Sequence, residues 1–457
     1  MNGLDEKHNL YKTELLQISR EVEQLNKEYK SQLESLQKAK SITSEKESEL
    51  AGLRYKHGKR SQEVESHQKA VNELKENLKN KKQLIESFEQ ELINQEELRR
   101  KLHNKIQELK GNIRVFCRIR PAVKDETKLA DVRVFGEDNE SIELRDESVS
   151  AMGRTSNRMY NFTFDRIFPM EATQKDCFTE ISQLVQSALD GYNVCIFAYG
   201  QTGSGKTYTM QGSSEDAGMI PRTVEQIYNV AQKLKPLGWD YNMTGQFLEI
   251  YNESIHDLLG NVADYGKVKH DIHHDKNGKT TVTDITTVQL NTPNQVRLML
   301  KRANHNRATA STNLNDRSSR SHSVFTLHII GANKSTGEEL TGILNLIDLA
   351  GSERLSMSGA VGDRLKETQA INKSLSCLSK VIQSLATKKK EGSHIPYRDS
   401  KLTYLLRNSL GGNCKTLMFV NVSPLSDHFG ETLCSLRFAE TVNSTKLGNI
   451  KKMASLK

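Results

Sequence analysis

The sequence predicts an α/β layer fold, a sheet between helices, preceded by a long coiled-coil helix. Three observations predict it. A heptad register runs without a break from Leu15 to Leu109. The stretch Gly200-Gln201-Thr202-Gly203-Ser204-Gly205-Lys206-Thr207 fits the G-x-x-x-x-G-K-[ST] phosphate-binding loop of nucleoside triphosphatases. Around that loop, apolar strand-like runs and amphipathic helical runs alternate from Ile113 onward, as a layered α/β domain requires.

Composition divides the chain into unlike parts. All seven prolines lie between Pro121 and Pro424, and residues 1–110 have none. The reading is a stalk and neck over 1–110, a globular domain over 111–447 and a short tail over 448–457. Net charge is +8, a mild basic excess compatible with an acidic partner but not diagnostic of one. The six cysteines are scattered singly, with no C-x-x-C pair to suggest zinc or redox chemistry. A reducing compartment follows from that usage. No run of 18 apolar residues exists, so no membrane contact is expected. No nucleic-acid motif is present either.

The helical stretch comes first. With Leu15 at position a and Ile18 at d, 19 of the 28 a and d residues are apolar. A solvated single helix has no reason to keep that register, so a left-handed coiled coil is expected. Thr43, Lys46, His57, Arg60 and His67 weaken the middle of the seam, and Gly52 and Gly58 lower helix propensity there. That stretch is expected to be loose or to fray. Polar seam residues also choose partners, which leaves a homodimer and a heterodimer equally open. The heptads begin almost at Met1, so no N-terminal globular or basic tail is expected. Either the chain is a fragment or a partner supplies that function.

Gly111-Asn112 ends the helix pattern as a C-cap does. A strand follows over Ile113–Arg118, then short strands over 131–168. A helix is read over Gln174–Asp190, a buried strand over Val194–Tyr199, and a helix over Ile220–Leu234. Gly245–Tyr251 and Val282–Leu290 read as strands, and Pro293–Ala308 as a helix. Strands over Val324–Ile330 and Leu344–Leu349 precede helices over Asp363–Ala386 and Ser400–Leu410. Thr416–Val422 is a last buried strand.

The loop's residue types carry its chemistry. Glycines let successive N–H groups point inward at phosphate oxygens. Lys206 supplies a mobile cation for the β- and γ-phosphates, and Thr207 a hydroxyl for Mg²⁺. A strand before the loop and a helix starting at Tyr208-Thr209-Met210 give the context that a chance glycine-rich turn lacks. Two later stretches strengthen the reading. Asn315-Asp316-Arg317-Ser318-Ser319-Arg320-Ser321-His322 packs hydroxyls and arginines just before a strand, where a polar surface turn is the plainer alternative. Asp348-Leu349-Ala350-Gly351-Ser352-Glu353 puts an acid at the end of an apolar strand, as a second Mg²⁺-linked carboxylate requires. An ordinary strand-ending turn is its alternative.

GQTGSGKT, NDRSSRSH and DLAGSE, in this order, resemble the phosphate loop and two switches of a kinesin motor domain. RIRP at Arg118–Pro121, RLKETQAINKSL at Arg364–Leu375 and HIPYRDSKLTYLLRNSLGG at His394–Gly412 extend the resemblance over roughly 113–445. It implies an ATPase that uses ATP and Mg²⁺. Arg118, Arg120, Pro121 and Tyr208 would frame the adenine. Thr207 would hold Mg²⁺, joined by Ser318 or Ser319, with Asp348 acting through water. Arg320 and Glu353 would pair across the closed switches, Gly351 would sense the γ-phosphate, and Glu353 would be the final proton acceptor. The resemblance also implies a microtubule face: Asp363–Ala386 with Asn372, then Lys388, Lys389, Lys390, His394, Arg398 and Lys401. Lys276 and Lys279 would form a smaller second contact.

A coiled coil ahead of the motor resembles the C-terminal-motor kinesins, the kinesin-14 class. That class implies minus-end-directed movement, a lever-like neck, and a place in the cytoplasm, cytoskeleton, spindle and nucleus. Yeast-type members pair with a different, non-catalytic chain. The competing expectation is a non-catalytic microtubule-binding protein with a motor fold. Its hallmark would be decay of Lys206, Thr207, Arg320, Asp348, Gly351 or Glu353, and all are present.

Overall fold

The computed structural model describes every residue except 1, 150–154, 266, 276–278, 310–318, 355–362, 387–393, 411–413, 446–453 and 457. The chain forms two units, 1–91 and 92–457.

The first unit is helical throughout its described residues and belongs to α1 (Asn2–Leu109). Its seam residues Leu15, Ile18, Val22 and Leu25 are exposed, as are the other described side chains of this unit. The helix runs unbroken through Gly52 and Gly58, contrary to the expected loosening. Each glycine costs only about 1 kcal/mol relative to alanine. Two such losses do not break a helix flanked on both sides by good helix formers.

The second unit begins at Leu92 with the end of α1. The chain turns at Gly111, which has a φ of +93°. There follow β1 (Ile113–Ile119), β2 (Asp131–Phe135), β3 (Ser141–Val149), β4 (Thr155–Thr163), β5 (Arg166–Phe168), α2 (Gln174–Leu189), β6 (Val194–Tyr199), α3 (Lys206–Gln211) and α4 (Met219–Leu234). Next come β7 (Trp239–Tyr251), β8 (Ser254–Asp257), β9 (Ile272–His274), β10 (Thr280–Val282), β11 (Val288–Gln289), α5 (Pro293–Thr309), β12 (His322–Asn333) and β13 (Glu338–Asp348). The chain closes with α6 (Asp363–Ala386), α7 (Lys401–Leu405), α8 (Arg407–Leu410), β14 (Lys415–Val422), α9 (Phe429–Asn443) and β15 (Ala454–Leu456).

The main sheet is mixed, with order β11-β7-β12-β13-β6-β14-β1-β5. Its centre is parallel: β6 lies between β13 and β14, and all three run the same way. Alternate residues of β6 enter different cores. Cys195 and Phe197 pack with residues of α6, α7 and α9. Val194, Ile196 and Ala198 pack with residues of α2, α4 and α5. This period of two shows that helices cover both faces, which explains the nearly continuous apolar run of β6.

Several expected elements change on folding. Val282–Leu290 is not one strand. β10 and β11 flank a turn in which Asp284 adopts a positive φ of 55°. Ser400–Leu410 divides at Leu406 into α7 and α8. β7, β12 and β13 are longer than expected, because their antiparallel pairing continues beyond the central apolar runs. The α9 helix and the β15 strand, which pairs antiparallel with β13 at Glu338–Leu340, were not expected from sequence.

Candidate nucleotide site and its switches

Strand register assembles the site. The parallel pairing of β13 with β6 sets Asp348 opposite Ala198, so the acid ends its strand beside the loop that follows Tyr199. Gly200 opens the loop with a φ of +148°, and a Cβ there would collide with the Asn421 carbonyl of β14. Gly203 and Gly205 also have positive φ, which curls the loop.

Lys206 is only 7% exposed, and its ammonium donates to the Gln201 carbonyl at 2.8 Å. Burial depresses its pKa, against the opposing pull of Asp348 and Glu353. Next to it, the Thr207 hydroxyl donates to Asp348 Oδ2 at 2.6 Å. Burial raises the Asp348 pKa, countered by Arg307, Lys206 and the Thr207 hydrogen bond. Asp348 Oδ1 is buried without a hydrogen-bond partner. A hydroxyl and a carboxylate in contact, with one oxygen unsatisfied, fit a hard cation such as Mg²⁺. That ion takes few protein ligands and completes its shell with water and phosphate. Among the described residues no cluster of three His, Cys, Asp or Glu forms a metal cage. Ser318 lies outside the described residues.

At the other rim of the loop, Arg118 is buried and points inward. It donates to Gln174 at 2.8 Å and Thr209 at 3.0 Å, and its guanidinium lies 5.6 Å from the Tyr208 ring centroid. Arg120 donates to the Gly203 carbonyl at 2.8 Å and pairs with Glu126. Pro121 is exposed. Gln174 was missed from sequence. It is fully buried and donates to the Tyr208 carbonyl at 2.6 Å. The capping box of Thr173 and Asp176 fixes the start of α2 that delivers it.

The second stretch and the first meet at the loop. The Gly351 N–H donates to the Ser319 carbonyl at 2.8 Å, and the Ser352 N–H donates to the Gly200 carbonyl at 3.1 Å. Glu353 accepts the Thr202 N–H at 2.8 Å and the Thr202 hydroxyl at 2.7 Å. Arg320 and Glu353 are not brought together. Arg320 pairs with Glu367 of α6 at 3.0 Å. A buried cluster that sequence reasoning missed anchors the first stretch. Arg307 reaches Glu249 at 3.1 Å and Ser321 Oγ at 2.8 Å. An arginine inside a helix that is polar overall gave no sign of that burial.

The kinesin motor domain model matches residues 118–445. The chain belongs to the kinesin family. Within it, the relatives are of the kinesin-14 group. It is 58% identical over 375 residues to Kinesin-like protein klpA of Emericella nidulans, covering 80% of this chain and 48% of that protein. It is 45% identical over 488 residues to Kinesin-like protein KAR3 of Saccharomyces cerevisiae, covering 98% and 66%. Among solved structures, the C-terminal motor and motor homology domain of Kar3Vik1 fused to a synthetic heterodimeric coiled coil matches with a TM-score of 0.75 and 47% identity. That match covers 84% of this chain and 99% of the solved one. The Saccharomyces cerevisiae KAR3 motor domain matches with a TM-score of 0.63 and 50% identity, covering 73% and 100%. The chain spans about half the length of the first curated relatives it matches.

In this kinesin the end of α1 packs on the motor through one flank. Arg99 bridges Glu96 at 2.8 Å and Asp190 at 2.7 Å. The Arg100 guanidinium lies 4.2 Å from the centroid of Trp239. His103 meets Ser187 at 3.0 Å, and Asn104 accepts from Lys415 at 2.9 Å. Gln107 is buried against Arg114. The seam residues Leu92, Leu102, Ile106 and Leu109 stay exposed beside this docked flank. Arg99, a seam position by register, is instead held by Glu96 of its own helix and by Asp190 of the motor.

The kinesin's expected microtubule face is described only in part. Asn372 lies on α6 and donates back to the Thr368 carbonyl at 3.0 Å. His394 and Arg398 are exposed, with the Arg398 guanidinium 5.7 Å from the Tyr404 ring centroid. The Lys401 N–H donates to Glu253 at 2.8 Å. Lys279 is exposed before β10. Lys276, Lys388, Lys389 and Lys390 lie outside the described residues.

Proposed function

We propose that this chain is a microtubule-stimulated ATPase that moves toward microtubule minus ends and acts in spindle or microtubule organisation. One observation carries the reading. Gly200, Thr202, Ser319, Gly351, Ser352 and Glu353 form a continuous hydrogen-bonded seam, so the phosphate loop and both switch segments are mechanically joined. A site built this way reports its contents through position, which a motor needs and a passive scaffold does not.

Catalysis is positioning and charge neutralisation. Lys206 leaves the Gln201 carbonyl to meet the β- and γ-phosphates. Thr207 and Asp348 would hold Mg²⁺, directly and through water, with Ser318 or Ser319 completing the set. An ion held there would supply charge neutralisation at the phosphoryl oxygens. Gly351 offers its N–H to the γ-phosphate. Arg320 then exchanges Glu367 for Glu353, and Glu353 leaves Thr202 to accept the proton relayed from the attacking water. Arg118, Arg120, Pro121 and Tyr208 frame the base.

The α6 helix with Asn372, together with Lys388, Lys389, Lys390, His394, Arg398 and Lys401, is the proposed contact with acidic tubulin, supplemented by Lys276 and Lys279. The second chain of the dimer pairs along the exposed seam. The solved Kar3Vik1 structure pairs a motor with a motor homology domain, fused to a synthetic heterodimeric coiled coil. The cationic seam residues Lys46 and Arg60 favour the same arrangement here, since a self-copy would place like charges face to face.

ATP turnover of the purified chain, with and without polymerised tubulin, tests this reading. Turnover should rise with tubulin. Turnover that is absent, or indifferent to tubulin, would support the non-catalytic microtubule-binding alternative.

A further inference from the structure

A hydrogen-bonded chain that the nucleotide contacts do not use runs from the second switch to α6. His322 opens β12 and is 3% exposed. Its Nδ1 accepts the Ala350 backbone N–H at 3.0 Å. The ring proton is therefore on Nε2, which donates to Ser374 Oγ of α6 at 2.8 Å. Ser374 passes its own hydrogen to the Ile371 carbonyl at 2.7 Å. Every donor in the chain has one acceptor, and all three residues are buried.

The two ends of this chain sit at informative places. Ala350 immediately precedes Gly351, the residue whose N–H would turn toward a terminal phosphate. Ser374 lies two residues beyond Asn372 on the helix proposed to face the microtubule. The bonded N–H lies in the Leu349–Ala350 peptide, one before the peptide that bears the Gly351 N–H, so movement of Ala350 must carry the His322 ring with it or break the 3.0 Å bond. Movement of the ring must shift Ser374 or break the 2.8 Å bond. Dense packing turns such strain into a choice between arrangements rather than a gradual deformation.

We propose that His322 is a positioning residue that couples the second switch to α6 through Ser374, so that microtubule contact and nucleotide state bias one another. This rests on the microtubule role proposed above for α6. The ring touches neither nucleotide nor microtubule. Burial, with Arg307 and Lys206 near it, pushes its pKa down to about 3, which keeps the ring neutral in this tautomer.

Two substitutions cut the same link from opposite sides. His322→Asn keeps an acceptor near the Nδ1 position for Ala350 but is too short to reach Ser374. Ser374→Ala deletes one oxygen atom and leaves the ring in place. Basal ATPase and nucleotide affinity should stay within about twofold of wild type in both, while tubulin-stimulated kcat falls about fivefold. The double variant should be no worse than either single one, because both remove one interaction. A residue that only fills the core would lower thermal stability without dividing basal from stimulated turnover.

Stimulated kcat within about twofold of wild type in Ser374→Ala would overturn the proposal, as would additive losses in the double variant. Ser374→Ala alone decides the matter should His322→Asn fail to fold. A wild-type chain that tubulin does not stimulate would overturn the functional reading, and this proposal with it.

Discussion

The Arg320 guanidinium lies 3.0 Å from the Glu367 carboxylate of α6, and the Tyr251 hydroxyl donates to the same carboxylate at 2.9 Å. Glu353, its expected partner, accepts two hydrogen bonds from Thr202. The two residues whose pairing would close the site are each engaged elsewhere, one with α6 and one with the phosphate loop. In the mechanism proposed above, closure would be an exchange of partners. Arg320 keeps 30% of its side-chain exposure, so the pair it gives up is worth only about 1 kcal/mol. Such an exchange is easily reversed.

Removing the competing partner should favour closure. In Glu367→Gln, microtubule-free ATPase should rise by about fivefold, the factor that roughly 1 kcal/mol represents. Unchanged or lower basal turnover would show that Glu367 does not hold the first switch open. Arg320→Ala and Glu353→Ala should do the reverse, losing most tubulin-stimulated turnover while nucleotide still binds.

Lys206→Ala and Thr207→Asn should each lower ATP turnover by about a hundredfold or more, since each removes a group aimed at transferring phosphate charge. Steady-state hydrolysis at saturating ATP, beside circular dichroism to verify folding, reads this out. Turnover near wild type in either variant would remove the phosphate loop from the mechanism.

Much of the site was legible because its chemistry is local. The eight residues from Gly200 to Thr207, the strand-ending Asp348 and Gly351 announce themselves by type and spacing. Long-range pairings were not legible. Glu367 and Tyr251 look like ordinary helix and strand residues, and only the meeting of β7, α6 and the first switch makes them partners of Arg320. Gln174 is hidden likewise, 34 residues from the Tyr208 carbonyl it binds. In the fold, strand cores could be read from apolar runs, but the paired ends of β7, β12 and β13 could not. Docking of α1 through Arg100, Asn104 and Gln107 was invisible because a heptad register describes only the apolar stripe beside them.

Acid should expose the buried imidazole. The folded-state pKa of His322 is about 3, against about 6.5 in an unfolded chain. Between those values the unfolded state binds more protons, so stability rises with pH and falls as pH drops below about 6.5, by up to about 1.4 kcal/mol per pH unit. His322→Asn should flatten that slope between roughly pH 6 and pH 4. Denaturant melts across this range test it. An identical slope in the variant would mean that His322 is protonated in the folded protein.

Trp239 is the only tryptophan in the chain, and Arg100 covers its ring. Arg100→Ala should bare that face, shift the emission to longer wavelength and loosen the docked end of α1 by about 1 kcal/mol. An unchanged spectrum would show that the stacking does not persist in solution.

The most direct measurement is a surface-gliding assay with polarity-marked microtubules and ATP. A surface-bound minus-end-directed motor pushes its microtubules with the plus ends leading, and that is the expected result. Minus ends leading would contradict the proposed direction. Bound microtubules that stay still while ATP is hydrolysed would contradict the claim that nucleotide turnover in this chain drives movement.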